Sequence, residues 1–277
     1  MTKGILFFDI DGTLVDSGNG DIMPFPEVME AMERAKKNGY KCVIASGRNL
    51  SGLAPYRHIG MDGFVSSDGA CILVEGQEPV HYPIPKKIVV DLIAQVTEEF
   101  HGNILLSWDG GAFATEKEFE LMYENFERMQ GEDKEKLMEL FNLKHIDEWT
   151  DEEILEVDVS FPDTKTEKAW VKVKNPDLHF ISTTASYGRG EATSGEITYS
   201  GITKAAGCRE ICELLKVDFA DTYAFGDSMN DASMIEECGV GIAMGNAAEE
   251  LKKRADYVTD DIREHGLVNA MDHFDII

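Results

Sequence analysis

The sequence has no run of about 20 apolar residues, the length a helix needs to cross a bilayer. Its first apolar run, Gly4-Ile5-Leu6-Phe7-Phe8, stops at Asp9. That is too short for a secretion signal and lacks a small-residue cleavage site. Cysteine is sparse: Cys42, Cys71, Cys208, Cys212 and Cys238 are odd in number and form no Cys-x-x-Cys pair. Cys208 and Cys212 have no His or Cys nearby to complete a zinc set, so reduced, buried thiols in a cytoplasmic protein are expected. Positive charge is scarce too, with 26 Lys and Arg against 52 Asp and Glu, a formal net charge of −26. Such a surface repels phosphate backbones, whose neutralisation gives nucleic-acid binding its affinity. An anionic membrane is disfavoured for the same reason. Neither is an expected partner, although a local basic pocket could hold a small anion.

What is present is a globular composition, 43% hydrophobic and 28% charged over 277 residues, enough for about two domains. Lys3–Ile10 reads as a buried strand, Glu27–Asn38 as an amphipathic helix stopped by Gly39, and Tyr40–Ala45 as a second buried strand. A short helix is expected from Asn49 to His58, then strands at Phe64-Val65 and Cys71–Val74 around a Ser66–Gly69 turn. Strand and helix in alternation predict a parallel sheet with helices on its faces. Gly76, Pro79, Pro83 and Pro85 then punctuate the chain as a linker would. Helices are expected at Ile88–Phe100, Lys117–Met129, Glu135–Leu140 and Thr166–Lys174, with extended segments at Ile104–Trp108, Ile154–Phe161 and His179–Ala185. The first pattern returns with a helix at Thr203–Leu215, a strand at Thr222–Phe225, a helix at Ala232–Glu237, a strand at Val240–Met244 and a helix at Ala247–Arg254. The expected organisation is an α/β core of residues 1–78 and 188–277, interrupted by an inserted α/β domain of residues 79–187.

Ligands of open parallel sheets bind beyond the carboxyl ends of the strands. There the expected core carries Asp9-Ile10-Asp11-Gly12-Thr13, then Ser46-Gly47-Arg48, then Thr203-Lys204 at a helix start, then Gly226-Asp227-Ser228-Met229-Asn230-Asp231. Each has a plain reading as a turn, a helix cap or a solvated charge. Together they would gather four carboxylates, a hydroxyl, a lysine and an amide. Gathered carboxylates repel unless a hard cation neutralises them, and few oxygen ligands with room for water and phosphate suit Mg2+.

These four segments, in this order and spacing, resemble the haloacid dehalogenase superfamily, and within it the Cof-like hydrolases, over essentially the whole chain. The resemblance implies a Rossmann-like parallel-sheet core with an inserted α/β cap. It further implies a Mg2+-dependent phosphatase of small phosphorylated metabolites, sugar phosphates first. Asp9 would attack phosphorus and form an aspartyl-phosphate. Asp11 would protonate the leaving group and then deprotonate water. Ser46 and Lys204 would stabilise the transferring phosphoryl group. Mg2+ would lie on Asp9, Asp11 and Asp227, with Asp231 completing the shell through water or fixing Lys204. Gly12, Gly47 and Asn230 would approach or orient phosphate. Family members often carry Asn-Gly where Asp68-Gly69 stands; both pairs suit a tight turn, which weakens a side-chain role there. In the cap, Trp108–Gly111 and Tyr187–Glu191, Arg189 above all, are candidate substrate contacts, with a glycine-rich hairpin as the simpler reading of each. A phosphomutase using the same intermediate, or a catalytically silent regulatory protein, are the alternatives. A monomer or small homo-oligomer is expected.

Overall fold

The computed structural model describes residues 2–130, 142–183 and 191–277, and its chain divides into two compact units. The first comprises residues 1–47, 53–80 and 203–277. Its sheet is built on β1 (Gly4–Phe8), β2 (Tyr40–Ala45), β3 (Gly63–Ser66) and β4 (Cys71–Val74), with β5 (Val80–His81) where the chain passes to the second unit. After the insert come β12 (Thr222–Gly226), β13 (Val240–Ala243) and β14 (Tyr257–Val258). The order is β14-β13-β12-β1-β2-β3-β4-β5. From β14 to β3 every pairing is parallel, and β4 turns back antiparallel on β3. Ile5, Leu6, Phe7 and Phe8 are fully buried, as a central parallel strand covered on both faces requires. Helices α1 (Pro26–Lys37), α5 (Lys204–Leu215), α6 (Ala232–Glu237), α7 (Glu249–Lys252) and α8 (Gly266–His273) belong to this unit. Among the described residues no helix is long and apolar enough to cross a membrane.

Residues 48–52 and 81–202 form the second unit. Its strands are β6 (Asn103–Trp108), β7 (Gly111–Ala114), β8 (Leu143–His145), β9 (Glu156–Phe161), β10 (Leu178–Ser182) and β11 (Thr193–Tyr199), in the order β10-β11-β9-β6-β7-β8. Only the pairing of β7 with β8 is parallel. With α2 (Lys86–Ala94), α3 (Glu116–Gln130) and α4 (Thr164–Val171) the unit is mixed α/β. Its main apolar cluster centres on Ile104, Leu106, Val157, Val159, Phe161, Trp170 and Ile197.

Two details differ from the sequence expectations. The strand β11 pairs antiparallel with β9 and β10, so the second unit extends to Ile202 and not to 187. In that strand Gly195 stands where an added Cβ would lie 2.1 Å from the Phe180 ring. The expected helix over 49–58 is a single tight 3-10 segment, Ala54–Ile59. Before it, the Asn49 carboxamide oxygen accepts from Ser51 Oγ at 2.8 Å and from the Gly52 N–H at 3.0 Å, a local competitor of helix hydrogen bonds. The expected helix over 135–140 lies outside the described residues.

Helix α5, which carries Lys204, packs unusually close on the sheet. A Cβ at Gly207 would lie 2.5 Å from Val65 Cγ1 and 2.8 Å from Ile72 Cδ1. Gly207→Val should therefore lift the helix and destabilise the protein by about 1–3 kcal/mol, the range for overpacking a core. Chemical denaturation measures this, and a variant as stable as wild type would show that the helix yields freely.

Candidate active site

The strand-end segments of the first unit meet at one place. Asp9 follows β1 and is anchored there, its N–H donating to the Phe225 carbonyl of β12 at 3.0 Å. Beyond it the chain turns tightly, with the Leu14 and Val15 N–H groups both donating to the Ile10 carbonyl at 2.9 Å. The turn leaves Asp11 half-buried and returns Thr13 under the site. Gly12 sits at φ +90°, and a Cβ there would lie 2.4 Å from Asp227 Oδ2. The space a side chain would take is thus filled by a carboxylate arriving from β12. Thr13 Oγ1 donates to the other oxygen of that carboxylate at 2.9 Å.

Thr203 caps α5, its hydroxyl accepting from the Ala206 N–H at 3.1 Å; a β-conformation threonine is a favoured N-cap. The cap fixes the first residue of the helix, Lys204, whose side chain is fully buried. Its ammonium donates to Asp9 Oδ1 at 2.9 Å and to Asp231 Oδ1 at 2.6 Å, and lies 3.8 Å from Asp68 Oδ1. Asp231, fully buried, uses its second oxygen to accept from the Asp227 and Ser228 N–H groups at 2.9 and 3.0 Å. One carboxylate thereby shapes the loop after β12 and holds the lysine. Asn230 is oriented within the protein: its Nδ2 donates to Asp68 Oδ1 at 3.4 Å, and its oxygen accepts from Ser228 Oγ. Ser46 is buried after β2, its N–H donating to the Val65 carbonyl at 2.8 Å, and Gly47 follows half-buried.

Carboxylate oxygens of Asp9, Asp227 and Asp231 all lie within 4.8 Å of one another. Burial, then repulsion from Asp231, raises Asp9 well above the ordinary carboxyl range, against the pull of Lys204. Burial and Asp231 likewise push Asp227 up to about 7, although the Thr13 hydrogen bond and Lys204 oppose them. For Lys204, burial alone would lower the ammonium, but Asp231, Asp9 and Asp68 together hold it well above its usual value. Acids that resist ionisation because they are crowded and dry are the donor set that a hard divalent cation neutralises. By this measure the residues fit Mg2+.

Two supports went unread in the sequence. Asn246, after β13, donates to the Gly12 carbonyl at 2.7 Å and accepts from the Ile262 N–H at 3.0 Å. Arg263 holds the buried Asp16 through Nε at 2.6 Å and Nη2 at 3.3 Å. Both fasten the turn that follows Asp9. The signal for Asn246 was available: Gly245-Asn246-Ala247 is one more polar segment at a strand end. In the second unit, Trp108–Gly111 is a tight hairpin joining β6 to β7. Asp109 Oδ2 there lies 2.5 Å from His81 Nε2. Arg189 lies outside the described residues.

Fold and site together are those of an α/β enzyme that works at the strand ends of a parallel sheet. The sequence pattern of the haloacid dehalogenase-like hydrolases matches residues 6–271, and the chain belongs to that family. YkrA of Bacillus subtilis (strain 168) is 30% identical over 273 residues, which cover 98% of this chain and 97% of YkrA. Phosphatase YwpJ of the same organism is 25% identical, over 97% of this chain and 99% of its own. Among solved structures, the HAD subclass IIB sugar phosphatase BT4131 matches with a TM-score of 0.77 at 29% identity, over 99% of this chain and 100% of that one.

The raised Asp227 carboxyl has a consequence for stability. Unfolded, it releases its proton near the ordinary value of about 3.9; folded and metal-free, it holds it up to about 7. Between those values the native state binds the extra proton, so stability falls as pH rises through the window. In chelator-treated protein, Asp227→Asn should melt above wild type at about pH 8, and the gap should close towards about pH 5. Thermal melts at the two pH values check this; a gap independent of pH would mean that Asp227 is not strained by its charge.

Proposed function

We propose that this haloacid dehalogenase-family phosphatase is Mg2+-dependent and hydrolyses small phosphorylated metabolites, sugar phosphates first, through an aspartyl-phosphate on Asp9. The observation that carries the reading is the contact of Asp9 with the buried Lys204 ammonium at 2.9 Å, with Asp227 and Asp231 oxygens within 4.8 Å. The full-length likeness to a sugar phosphatase supports the substrate class, and the net charge of −26 and five unbridged cysteines suit a cytoplasmic enzyme of small metabolites.

In this reading an Asp9 oxygen attacks phosphorus, the phosphorus–oxygen ester bond breaks, and Asp11 gives its proton to the leaving alkoxide. Water then attacks the phosphorus of the aspartyl-phosphate, Asp11 takes the proton from that water, and inorganic phosphate leaves Asp9. Lys204 and the Ser46 hydroxyl face the charge on the transferring group, since phosphoryl transfer is mainly positioning and charge stabilisation. Asp9, the Asp11 carbonyl and Asp227 would hold Mg2+, which supplies charge neutralisation for the carboxylates and for phosphoryl oxygens. We assign Asp231 to fixing Lys204 and the loop after β12, because both of its oxygens are engaged there. Choice among leaving groups we assign to the inserted unit, because the reactive groups named here all lie in the other.

A panel of phosphate esters assayed for released phosphate, with and without Mg2+, tests the reading. Asp9→Asn should lose more than about a thousandfold in kcat. Asp11→Asn should still be phosphorylated slowly by p-nitrophenyl phosphate and then stall, visible as the added mass of one phosphoryl group. Mg2+ should also raise the melting temperature, more at about pH 8 than at about pH 5, because the ligands must be deprotonated. Full activity after exhaustive chelation, or near wild-type turnover by Asp9→Asn, would end this mechanism.

A further inference from the structure

By its sequence the loop between β3 and β4 is a tight Asp-Gly turn. Its backbone is unusual. Ser67, Asp68 and Gly69 take φ values of +48°, +50° and +104° in succession. Non-glycine residues rarely adopt this region, and two in a row persist only where the surroundings over-determine them. Here they do. The Asp68 N–H donates to the Ser46 carbonyl at 3.2 Å, and the Ala70 N–H closes on the Ser67 carbonyl at 2.9 Å. Gly69 is pressed against the start of α5, where a Cβ would lie 2.3 Å from the Thr203 carbonyl oxygen. The strained loop therefore touches the backbone beside Ser46 and the cap of the helix that carries Lys204.

Its side chain continues the same connections. Asp68 is 2% exposed. Its Oδ1 lies 3.8 Å from Lys204 Nζ and accepts from Asn230 Nδ2 at 3.4 Å. At 3.8 Å the lysine contact is longer than a hydrogen bond, but both partners are dry, so the pull of an oxygen on the ammonium, from a carboxylate or from an amide dipole, is little weakened by solvent. Asp9 and Asp231 also hold the ammonium, at 2.9 and 2.6 Å, and in the phosphatase reading Asp9 is the nucleophile, so of these two only Asp231 is free of the reaction itself. When Asp9 turns its oxygen towards phosphorus, the lysine needs other holds to keep its place.

We propose that Asp68 is a positioning residue for Lys204: its side-chain oxygen, set by the left-handed loop and the Asn230 amide, braces the ammonium that meets the transferring phosphoryl group. The inference rests on the phosphatase reading above. It requires an acceptor oxygen at this position and not a full negative charge, so an asparagine there should serve. Aspartate and asparagine are also the non-glycine residues that best tolerate positive φ.

The test is calorimetric titration of orthovanadate, a mimic of the transferring phosphoryl group, into the Mg2+-loaded protein. Wild type, Asp68→Gly, Asp68→Asn, Lys204→Met and the Asp68→Gly/Lys204→Met double variant are compared. Glycine removes the side chain without straining the loop, and the fitted stoichiometry reports the folded fraction separately from affinity. Asp68→Gly should weaken binding by about tenfold or more, the lower end of what a misplaced charge-stabilising group costs. Asp68→Asn should stay within about threefold of wild type, and in the Lys204→Met background the Asp68→Gly change should matter less than about twofold, because coupled residues are not additive. An equal loss in both backgrounds, no loss in either, or an asparagine variant as weak as the glycine one would overturn the proposal. Wild type that releases no phosphate from any ester would sink the phosphatase reading instead, and that result is scored without any Asp68 variant.

Discussion

Lys204 carries its charge into a place with no solvent exposure, and Asp9 and Asp231 meet it there at 2.9 and 2.6 Å. Neither side of that arrangement survives alone. A buried ammonium without carboxylates would shed its proton, and the buried carboxylates without the ammonium would take protons up. The lysine comes from the helix after the insert, Asp9 from the first strand, and Asp231 from the loop after β12. The charge balance therefore demands that segments some 200 residues apart arrive together. Helix capping by Thr203, the close seat of Gly207 on the sheet and the Asp231 hydrogen bonds to the loop all serve that arrival.

The balance is incomplete, and the deficit has a meaning. Among the described residues named here, Asp9, Asp68, Asp227 and Asp231 gather around one lysine charge. Asp9 and Asp227 respond by clinging to protons. A fold optimised only for stability would replace such a group with apolar side chains, because buried ion pairs give little net stability against well-packed hydrophobic substitutes. Repulsion kept in place and only partly relieved by one lysine is therefore not explained by packing, and it agrees with the proposed role of the site in holding a cation beside a phosphoryl group.

Much of this was legible in the sequence, for identifiable reasons. The buried strands of the first unit are continuous apolar runs, as in β1 and in Val43–Ala45, and each ends in a polar cluster that sequence alone marks as a strand end. β11 was not legible: Thr193-Ser194-Gly195-Glu196-Ile197-Thr198-Tyr199 has few apolar residues, and its membership is fixed by pairing with β9 and β10 and by the Phe180 ring over Gly195. Local propensity cannot report a strand whose stability comes from its neighbours. The hairpin at Trp108–Gly111 was legible as a glycine-rich turn, but the approach of His81 to Asp109 was not, since nothing local links them.

Within the site the same division holds at finer grain. The sequence names the residues that bear charge, but not which charges face each other. Gly12 reads as a glycine for a turn; the structure adds that the Asp227 carboxylate occupies the volume a side chain would need. Asp231 reads as one more acid in a row, yet each of its oxygens has a different task. Asp68 reads as the first half of an Asp-Gly turn, yet it holds a left-handed conformation beside a buried lysine. In each case the local rule is satisfied and does not exhaust the residue. A turn can be made by many sequences, whereas a turn that must also place a carboxyl oxygen beside an ammonium from elsewhere in the chain admits few. The places where backbone strain and buried charge coincide are where packing alone gives no reason for the residue present, and a requirement of the chemistry supplies one.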